Sequence, residues 1–327
     1  MTSRPVDSWS AFTRRRRYGR AMALVEQRLE TAAGVYPGAL GRGCAATLAA
    51  GGKRVRPLLT LLSARRDADL LEPVQRAAAA VELLHMATLV HDDVLDRAVL
   101  RRGRPTVAQE FGVEVAVSAG NYLLARAFRE LVGAGDPAAV DVLSATAVGL
   151  SEGEVLQRDE AHDVTVSEAA YQRRCERKTA DLFAAAARLG AMLSGAGPAV
   201  AAALAEYGRL IGLAFQVFDD ILDFSADEAS TGKRAGTDIR DGTITLPIIF
   251  ALQERPDLAP LLAAEDPGEP AVAAVIEGVV SGDALTRARA VALGYIEQAR
   301  AVLATSPGTV EKDLLAEVAT RVVDRYS

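Results

Sequence analysis

The chain has 327 residues, 50% of them apolar and 24% charged, with a formal net charge of -6. That composition excludes disordered, fibrous and collagen-like proteins, and the acidic balance argues against a nucleic-acid binder, which carries a basic face. Cys44 and Cys175 lie far apart in no CxxC or Cys/His pattern. Neither a disulfide framework nor a zinc site is expected, and a reducing, cytoplasmic setting is the default.

In chain order, residues 1–16 read as a flexible N-terminal segment. Trp9 and Phe12 precede the run Arg14 to Arg17, the reverse of a secretory signal. Contact of that run with anionic lipid is one reading, and a solvated helix start is the plainer one. Ala/Leu-rich periodicity then predicts helices near 17–32, 39–50, 55–66, 73–97, 107–132, 137–157, 167–194, 199–224 and 243–254, with more to the end. Breaks fall at Gly34 to Gly38, Gly51-Gly52, Gly103-Arg104-Pro105, Gly133 to Pro137, Gly195 to Pro198 and Pro256. Runs of alternating Val, Ile and Thr are almost absent, so no sheet is expected. The pattern gives one all-α domain, 1–327, with helices packed around a central space. No apolar stretch is read as a membrane span. The best candidate, Ala77 to Val90, is interrupted by Glu82 and His85. Ser225 to Gly242 is the longest polar break, with three glycines and seven charges, and a loop of that kind is usually functional.

Two acidic arrays stand out. His91-Asp92-Asp93-Val94-Leu95-Asp96 places Asp92 and Asp96 about 40° apart on one helix face, with His85 about 20° from Asp92 two turns earlier. Phe215-Gln216-Val217-Phe218-Asp219-Asp220-Ile221-Leu222-Asp223 gathers Gln216, Asp219, Asp220 and Asp223 within an arc of about 100°. Adjacent carboxylates repel and serve no structural purpose in an apolar helix. Matched D-D-x-x-D arrays suit Mg²⁺, which takes oxygen ligands and is shared between carboxylates and substrate phosphates. A solvated acidic helix end explains one such array, but two copies set in apolar sequence weigh against it.

Cations flank the carboxylates: Lys53, Arg54 and Arg56 at a Gly-Gly turn, Arg101-Arg102 after the first array, Lys178-Thr179 in mid-chain and Lys233 in the long loop. Arg54 is expected to be solvated. The rest suggest two anionic groups, one bridged by metal and one held by Arg and Lys, as diphosphates would be. Glu82-x-x-His85 resembles half of a di-iron motif, but that class needs two copies and only three histidines exist. His91 points away from the array and is expected to be structural or to support the metal ligands from behind.

With these residues in view, the sequence resembles the trans-isoprenyl (polyprenyl) diphosphate synthases. GGKRVRP, ELLHMATLVHDDVLD, RRGRPT, GEVLQ, ERKTADLF, FQVFDDILDF, GK and TDIRDGTITLP occur in unbroken order over roughly residues 40 to 255. The resemblance implies a helical bundle around a deep cavity, a homodimer, and three Mg²⁺ per active site that Mn²⁺ can replace. It implies that Lys53, Arg56, His85 and Arg102 hold isopentenyl diphosphate. Arg101, Lys178, Thr179, Gln216 and Lys233 would contact the allylic diphosphate. Asp92, Asp96 and Asp219 would be the principal metal ligands, supported by Asp93, Asp220 and Asp223. Asp92, Asp96, Asp219, Lys178 and Lys233 would carry catalysis. Two positions depart from the pattern: Asn121 stands where the family commonly has Asp, and Thr243 where it commonly has Lys.

Head-to-tail (1'-4) condensation of an allylic diphosphate with isopentenyl diphosphate follows from the resemblance. Leu84, Ala87 and Thr88 would form the wall that limits chain length. Because none is aromatic, a product of C20 or longer is expected, medium to long chains over geranylgeranyl diphosphate. A class I terpene cyclase and a catalytically silent synthase subunit are the rivals. The cyclase's second metal motif is an Asn/Ser/Glu array, and the silent subunit should have lost a motif, whereas both stand here.

Overall fold

The computed structural model describes residues 16–34, 36–66, 68–225, 235–306 and 310–324. Lys233, with the rest of 226–234 in the Ser225–Gly242 loop, and Trp9, Phe12, Arg14 and Arg15 lie outside the described residues.

The fold is all-α, as the periodicity predicts. Six helices come first: α1 (Arg16–Gly34), α2 (Gly38–Ala49), α3 (Val55–Ser63), α4 (Glu72–Leu95), the single turn α5 (Val107–Phe111) and α6 (Val113–Val132). Next are α7 (Pro137–Asp159), α8 (Glu168–Cys175), a π-helical turn at Glu176–Ala180, α9 (Asp181–Leu193) and α10 (Pro198–Ser225). The chain ends with α11 (Thr237–Arg240), α12 (Leu246–Glu254), α13 (Ala259–Leu262), α14 (Gly268–Ser281), α15 (Ala284–Thr305) and α16 (Lys312–Asp324).

Four local features differ from the sequence reading, and the first is the helical turn α11 inside the segment Ser225–Gly242 that was expected to be a loop. The helix expected over 107–132 is broken at Gly112, whose φ of 89 lies outside helical space. The helix expected over 167–194 contains the π turn. A two-residue hairpin pairs β1 (Leu100–Arg101) with β2 (Arg104–Pro105) where a plain break was expected. Its central residues Arg102 and Gly103 both have positive φ, 52 and 74. That sign at both positions marks the turn whose twist suits a tight hairpin.

The described residues gather into two compact units. One contains the chain up to Ala147, Leu182–Gly208 and Val302–Glu317, and the other Val148–Asp181, Arg209–Ala301 and the chain from Val318. In the first, α4 packs chiefly on α6. Ala77 to Ala80 are fully buried, and so are Ala116, Ala119, Leu123, Ala127 and Leu131, which recur at helical spacing along one face of α6. Small residues let the two helices approach closely. His91 fits there because Gly120 has no side chain, since a Cβ on Gly120 would lie 2.2 Å from His91 Nε2. His91 thus packs its ring against Gly120. Tyr207 is fully buried, and its hydroxyl donates to the Leu315 carbonyl at 2.6 Å, tying α16 to α10. Such a bond contributes about 1 kcal/mol net, but an unpaired buried hydroxyl would cost more.

Pro198–Phe224 is long and apolar enough, by length and composition, to cross a membrane, which corrects the expectation that Ala77 to Val90 is the best candidate. It has the character of a core helix: 61% of its most apolar window is buried, and its last turns carry Asp219, Asp220 and Asp223. Cys44 and Cys175 are both buried, each as a free thiol.

Candidate active site

In the first unit the turn GGKRVRP delivers its cations one by one. Arg54 takes left-handed backbone angles (φ 50, ψ 35) just before α3. A non-glycine residue there costs roughly 1–2 kcal/mol and persists only where its surroundings hold it. Here the guanidinium is held on two sides. Nε donates to Glu26 Oε1 at 2.7 Å and Nη1 to Glu82 Oε1 at 2.8 Å. The Arg54 side chain is only 12% exposed, so the expectation of a solvated arginine was wrong. Its partners lie 28 residues away on either side, beyond the reach of local pattern. Glu82 is correspondingly an ion-pair partner.

Arg56 lies with its guanidinium 4.5 Å from the Phe183 ring centre. Its Nε is buried and has no hydrogen-bond partner. Burial lowers its pKa to about 10, with Glu82 opposing and Arg102 adding to the fall. His85, half-buried on α4, is pushed well below the ordinary histidine value by burial first, then by Arg56, Arg102, Arg101 and Arg54. With its pKa below that value the ring is neutral at pH 7, and a neutral imidazole offers one donor and one acceptor nitrogen. Arg102 donates from Nη1 to the Gly51 carbonyl, which brings the hairpin to the Gly-Gly turn. The sequence-predicted cations Arg56, Arg101 and Arg102 therefore share one neighbourhood with His85. Lys53 is half-buried at the same turn.

The first aspartate array closes α4. Asp92 is half-buried, and Asp96 is exposed at the helix C-terminus. Asp93 is buried and accepts from Arg101 Nε at 2.6 Å. Burial raises its carboxyl pKa, with Arg101 opposing. Arg101, expected on the allylic diphosphate, thus pairs with Asp93. One turn or more before Asp92, Leu84 and Ala87 are buried, and the half-buried Thr88 donates its hydroxyl to the His85 carbonyl at 2.8 Å.

In the second unit α7 runs against the π turn. A Cβ on Gly153 would meet the Lys178 backbone nitrogen at 2.6 Å, so only glycine allows the approach. That closeness brings Lys178 Nζ to Gln157 Oε1 at 2.9 Å and to Glu154 at 2.7 Å. Gln157 in turn donates to the Thr243 hydroxyl across 3.5 Å. Thr243, the residue that departs from the family pattern, therefore sits one side chain from Lys178. Glu154 and Gln157 stand within GEVLQ, a motif visible in the sequence but without an assigned part.

A second chain of bonds runs through the other array. Thr179 Oγ1 donates to Gln216 Oε1 at 2.7 Å, and Gln216 Nε2 donates to Asp220 Oδ1 at 2.8 Å. The Tyr171 hydroxyl donates to Asp220 Oδ2 at 2.5 Å. Asp220 is buried, which raises its pKa, and both its oxygens are engaged. Asp219 is exposed. Asp223 accepts from the backbone N–H groups of Thr237 (3.1 Å) and Asp238 (3.0 Å), holding the start of α11. Tyr171 was not anticipated, because a tyrosine inside a polar helix carries no local signal.

Oxygen donors alone make up the two arrays, which suits a hard divalent cation. Among the described residues no three acidic, His or Cys side chains gather closely enough to cage an ion. Mg²⁺ has no need of such a cage. It keeps several waters and takes one or two carboxylates plus substrate phosphates. Exposed Asp96 and Asp219 and half-buried Asp92 fit that use.

An all-helical chain with two D-D-x-x-D arrays, each near cations of its own unit, falls in the class of isoprenoid diphosphate synthases. Residues 39–278 match the family model "Polyprenyl synthetase", and the chain belongs to that family. It is 39% identical over 305 residues to heptaprenyl diphosphate synthase component 2 of Geobacillus stearothermophilus, covering 93% of this chain and 95% of the relative. It is 40% identical over 281 residues to geranylgeranyl diphosphate synthase of Methanosarcina mazei, covering 84% and 86%. Among solved structures, polyprenyl synthase from Caulobacter crescentus CB15, complexed with calcium and isoprenyl diphosphate, superposes with a TM-score of 0.84 at 33% identity over 100% of both chains.

Proposed function

We propose that the whole chain acts as one catalytic domain, a Mg²⁺-dependent trans-prenyltransferase. It condenses an allylic diphosphate with isopentenyl diphosphate to all-trans prenyl diphosphates of C20 or longer. The observation that carries this reading is the arrangement in the first unit, where Arg56 presents a buried, unpartnered Nε beside a neutral His85. A buried arginine donor without a partner is costly, and an anionic ligand relieves that cost. The Caulobacter structure, with its calcium and isoprenyl diphosphate, supports the same ligand chemistry.

Asp92, Asp96 and Asp219 would hold Mg²⁺, which when bound neutralises the allylic diphosphate so that its C–O bond can ionise. Asp93 and Asp220 keep their shape through Arg101, Tyr171 and Gln216, and Asp223 anchors α11. Lys178 orients the allylic diphosphate and stabilises its departing charge, with Thr179 and Gln216 beside it and Lys233 in the same part. Lys53, Arg56, His85 and Arg102 position isopentenyl diphosphate with its alkene toward the allylic carbon. Neutral His85 binds without adding charge. The carbon–carbon bond forms as the alkene attacks the cation, and a proton then leaves to the released pyrophosphate. A cytoplasmic homodimer is the assembly proposed. Exposed Val113 and Val117, one turn apart on α6, give a self-associating helix face its apolar residues.

The test varies one substrate at a time. Arg56→Ala is expected to raise KM for isopentenyl diphosphate by about tenfold or more, and Lys178→Ala to act mainly on the allylic partner, each through a lost charged hydrogen bond. The reverse pattern would refute the assignment of these two cations, whereas diphosphate release that does not need isopentenyl diphosphate would refute the reading in favour of a cyclase.

Product length follows from the wall before Asp92. Ala87→Phe is expected to shorten the product, because Ala87 is buried and an added ring cannot be relieved in a packed wall. Chromatography of dephosphorylated products decides it. A wild-type product of C15, or no shortening in the variant, places the wall elsewhere. Geranylgeranyl diphosphate synthesis is the alternative within this reading.

A further inference from the structure

The ion pair that fixes Arg54 has a second neighbour. Glu82 is buried, its side chain 5% exposed, and its charge acts on Arg56 as well as on Arg54. Arg54 alone of the two is bonded to it, at 2.8 Å, and Arg54 is braced from the other side by Glu26 at 2.7 Å. Arg56, two residues on, keeps a buried Nε with no partner. The turn is tight enough that a Cβ on Gly52 would lie 3.1 Å from Nη1 of both Arg54 and Arg102. Two arginines thus flank one buried carboxylate, and one of them satisfies it.

We propose that Arg54 is a positioning residue, whose hold on Glu82 keeps that carboxylate from capturing Arg56 and so leaves Arg56 available to a diphosphate. The inference rests on the assignment of Arg56 to isopentenyl diphosphate made above. A buried carboxylate that loses its partner takes up whatever cation its surroundings offer, because leaving it unpaired is far more costly than bending a long side chain. The cation on offer is Arg56, already within the field of Glu82. Once bonded there, Arg56 presents fewer donors and less charge to a ligand. The left-handed backbone of Arg54 is consistent with this part. It turns the side chain of residue 54 toward α1 and α4, where Glu26 and Glu82 stand, while Arg56 faces Phe183.

A plain structural role and this role part company when the ion pair is broken from each side. Arg54→Met keeps the length of the stem and strands Glu82. It is expected to raise KM for isopentenyl diphosphate about tenfold, while KM for the allylic diphosphate stays within about twofold. Glu82→Gln removes the buried charge but keeps an oxygen that can accept from Arg54, whose own charge stays paired with Glu26, and it is expected to bind isopentenyl diphosphate at least as tightly as the wild type. The double variant Arg54→Met/Glu82→Gln is expected to recover most of the affinity lost in Arg54→Met. Titration calorimetry with isopentenyl diphosphate, without divalent metal, follows the same order independently of turnover, and melting temperatures report any folding loss separately. Equal loss in both single variants, or no recovery in the double variant, overturns the inference. Should Arg54→Met fail to fold, weaker isopentenyl diphosphate binding in Glu82→Gln does so alone. Arg56→Ala is the control. If it leaves isopentenyl diphosphate binding unchanged, the site assignment fails and takes the inference with it. If it weakens binding while Arg54→Met does not, the assignment stands and only the inference falls.

Discussion

Asp92→Ala and Asp219→Ala are each expected to lower turnover by about three orders of magnitude while leaving the fold intact. Carboxylate-held metal supplies several kcal/mol of charge stabilisation in the transition state, and about 1.4 kcal/mol is a factor of ten in rate. Their folding cost is small because Asp219 is exposed and Asp92 only half-buried, and substitutions at such positions usually change stability by about 0.5 kcal/mol or less. Asp220→Ala should behave differently. It strands the Tyr171 hydroxyl and the Gln216 amide in a buried place, so melting temperature falls along with activity. Turnover with Mg²⁺, read beside a thermal melt, separates the two outcomes. Near-normal turnover in both Asp92→Ala and Asp219→Ala would sink the metal assignment.

Gly190→Val should be strongly destabilising. On α9, Gly190 faces the backbone of α3 so closely that a Cβ would lie 2.0 Å from the Thr60 carbonyl oxygen and 3.2 Å from Ser63 Cβ. Backbone cannot swing aside as a flexible side chain can. Leu58, Leu59, Leu61 and Leu62 on α3 are fully buried, so moving that helix disturbs the core of the first unit. Overpacking of this kind costs about 3 kcal/mol or more, a large share of the stability of an ordinary domain. A chemical denaturation midpoint, compared with that of Gly294→Val, would show it. Gly294 has open space around its would-be Cβ, so only helix propensity changes there. Equal midpoints would mean that α9 and α3 are not packed as described.

Much of the fold and of the site was legible in the sequence, for physical reasons that also explain the failures. Long helices such as α1, α4 and α10 repeat an apolar stripe over many turns, and their limits were read to within about two residues, the usual scatter of such boundaries. The aspartate arrays were legible because helix geometry turns spacing directly into a shared face. Gly112 was missed because one glycine within an apolar pattern is usually tolerated, and only its φ shows the break. The hairpin at Leu100–Pro105 is too short for any period-2 signal. Arg54 was misjudged because its partners, Glu26 and Glu82, come from other helices, and tertiary pairing leaves no mark on neighbouring positions. The same holds for Tyr171 and Asp220, 49 residues apart.

The π turn at Glu176–Ala180 makes the length of this segment as consequential as its composition. Such a turn accommodates one residue more than regular α-helix, and each added residue rotates the remainder of the helix by about 100°. Lys178 and Thr179 sit inside it, aimed at Gln157 and Gln216 by that rotation. Removing Arg177 would let the helix relax into even winding and strengthen it locally, yet both side chains would slip to neighbouring azimuths and lose those partners. Related chains should therefore vary in sequence here far more readily than in residue number, and a gap in this stretch would mark a chain that has given up the reaction while keeping the bundle.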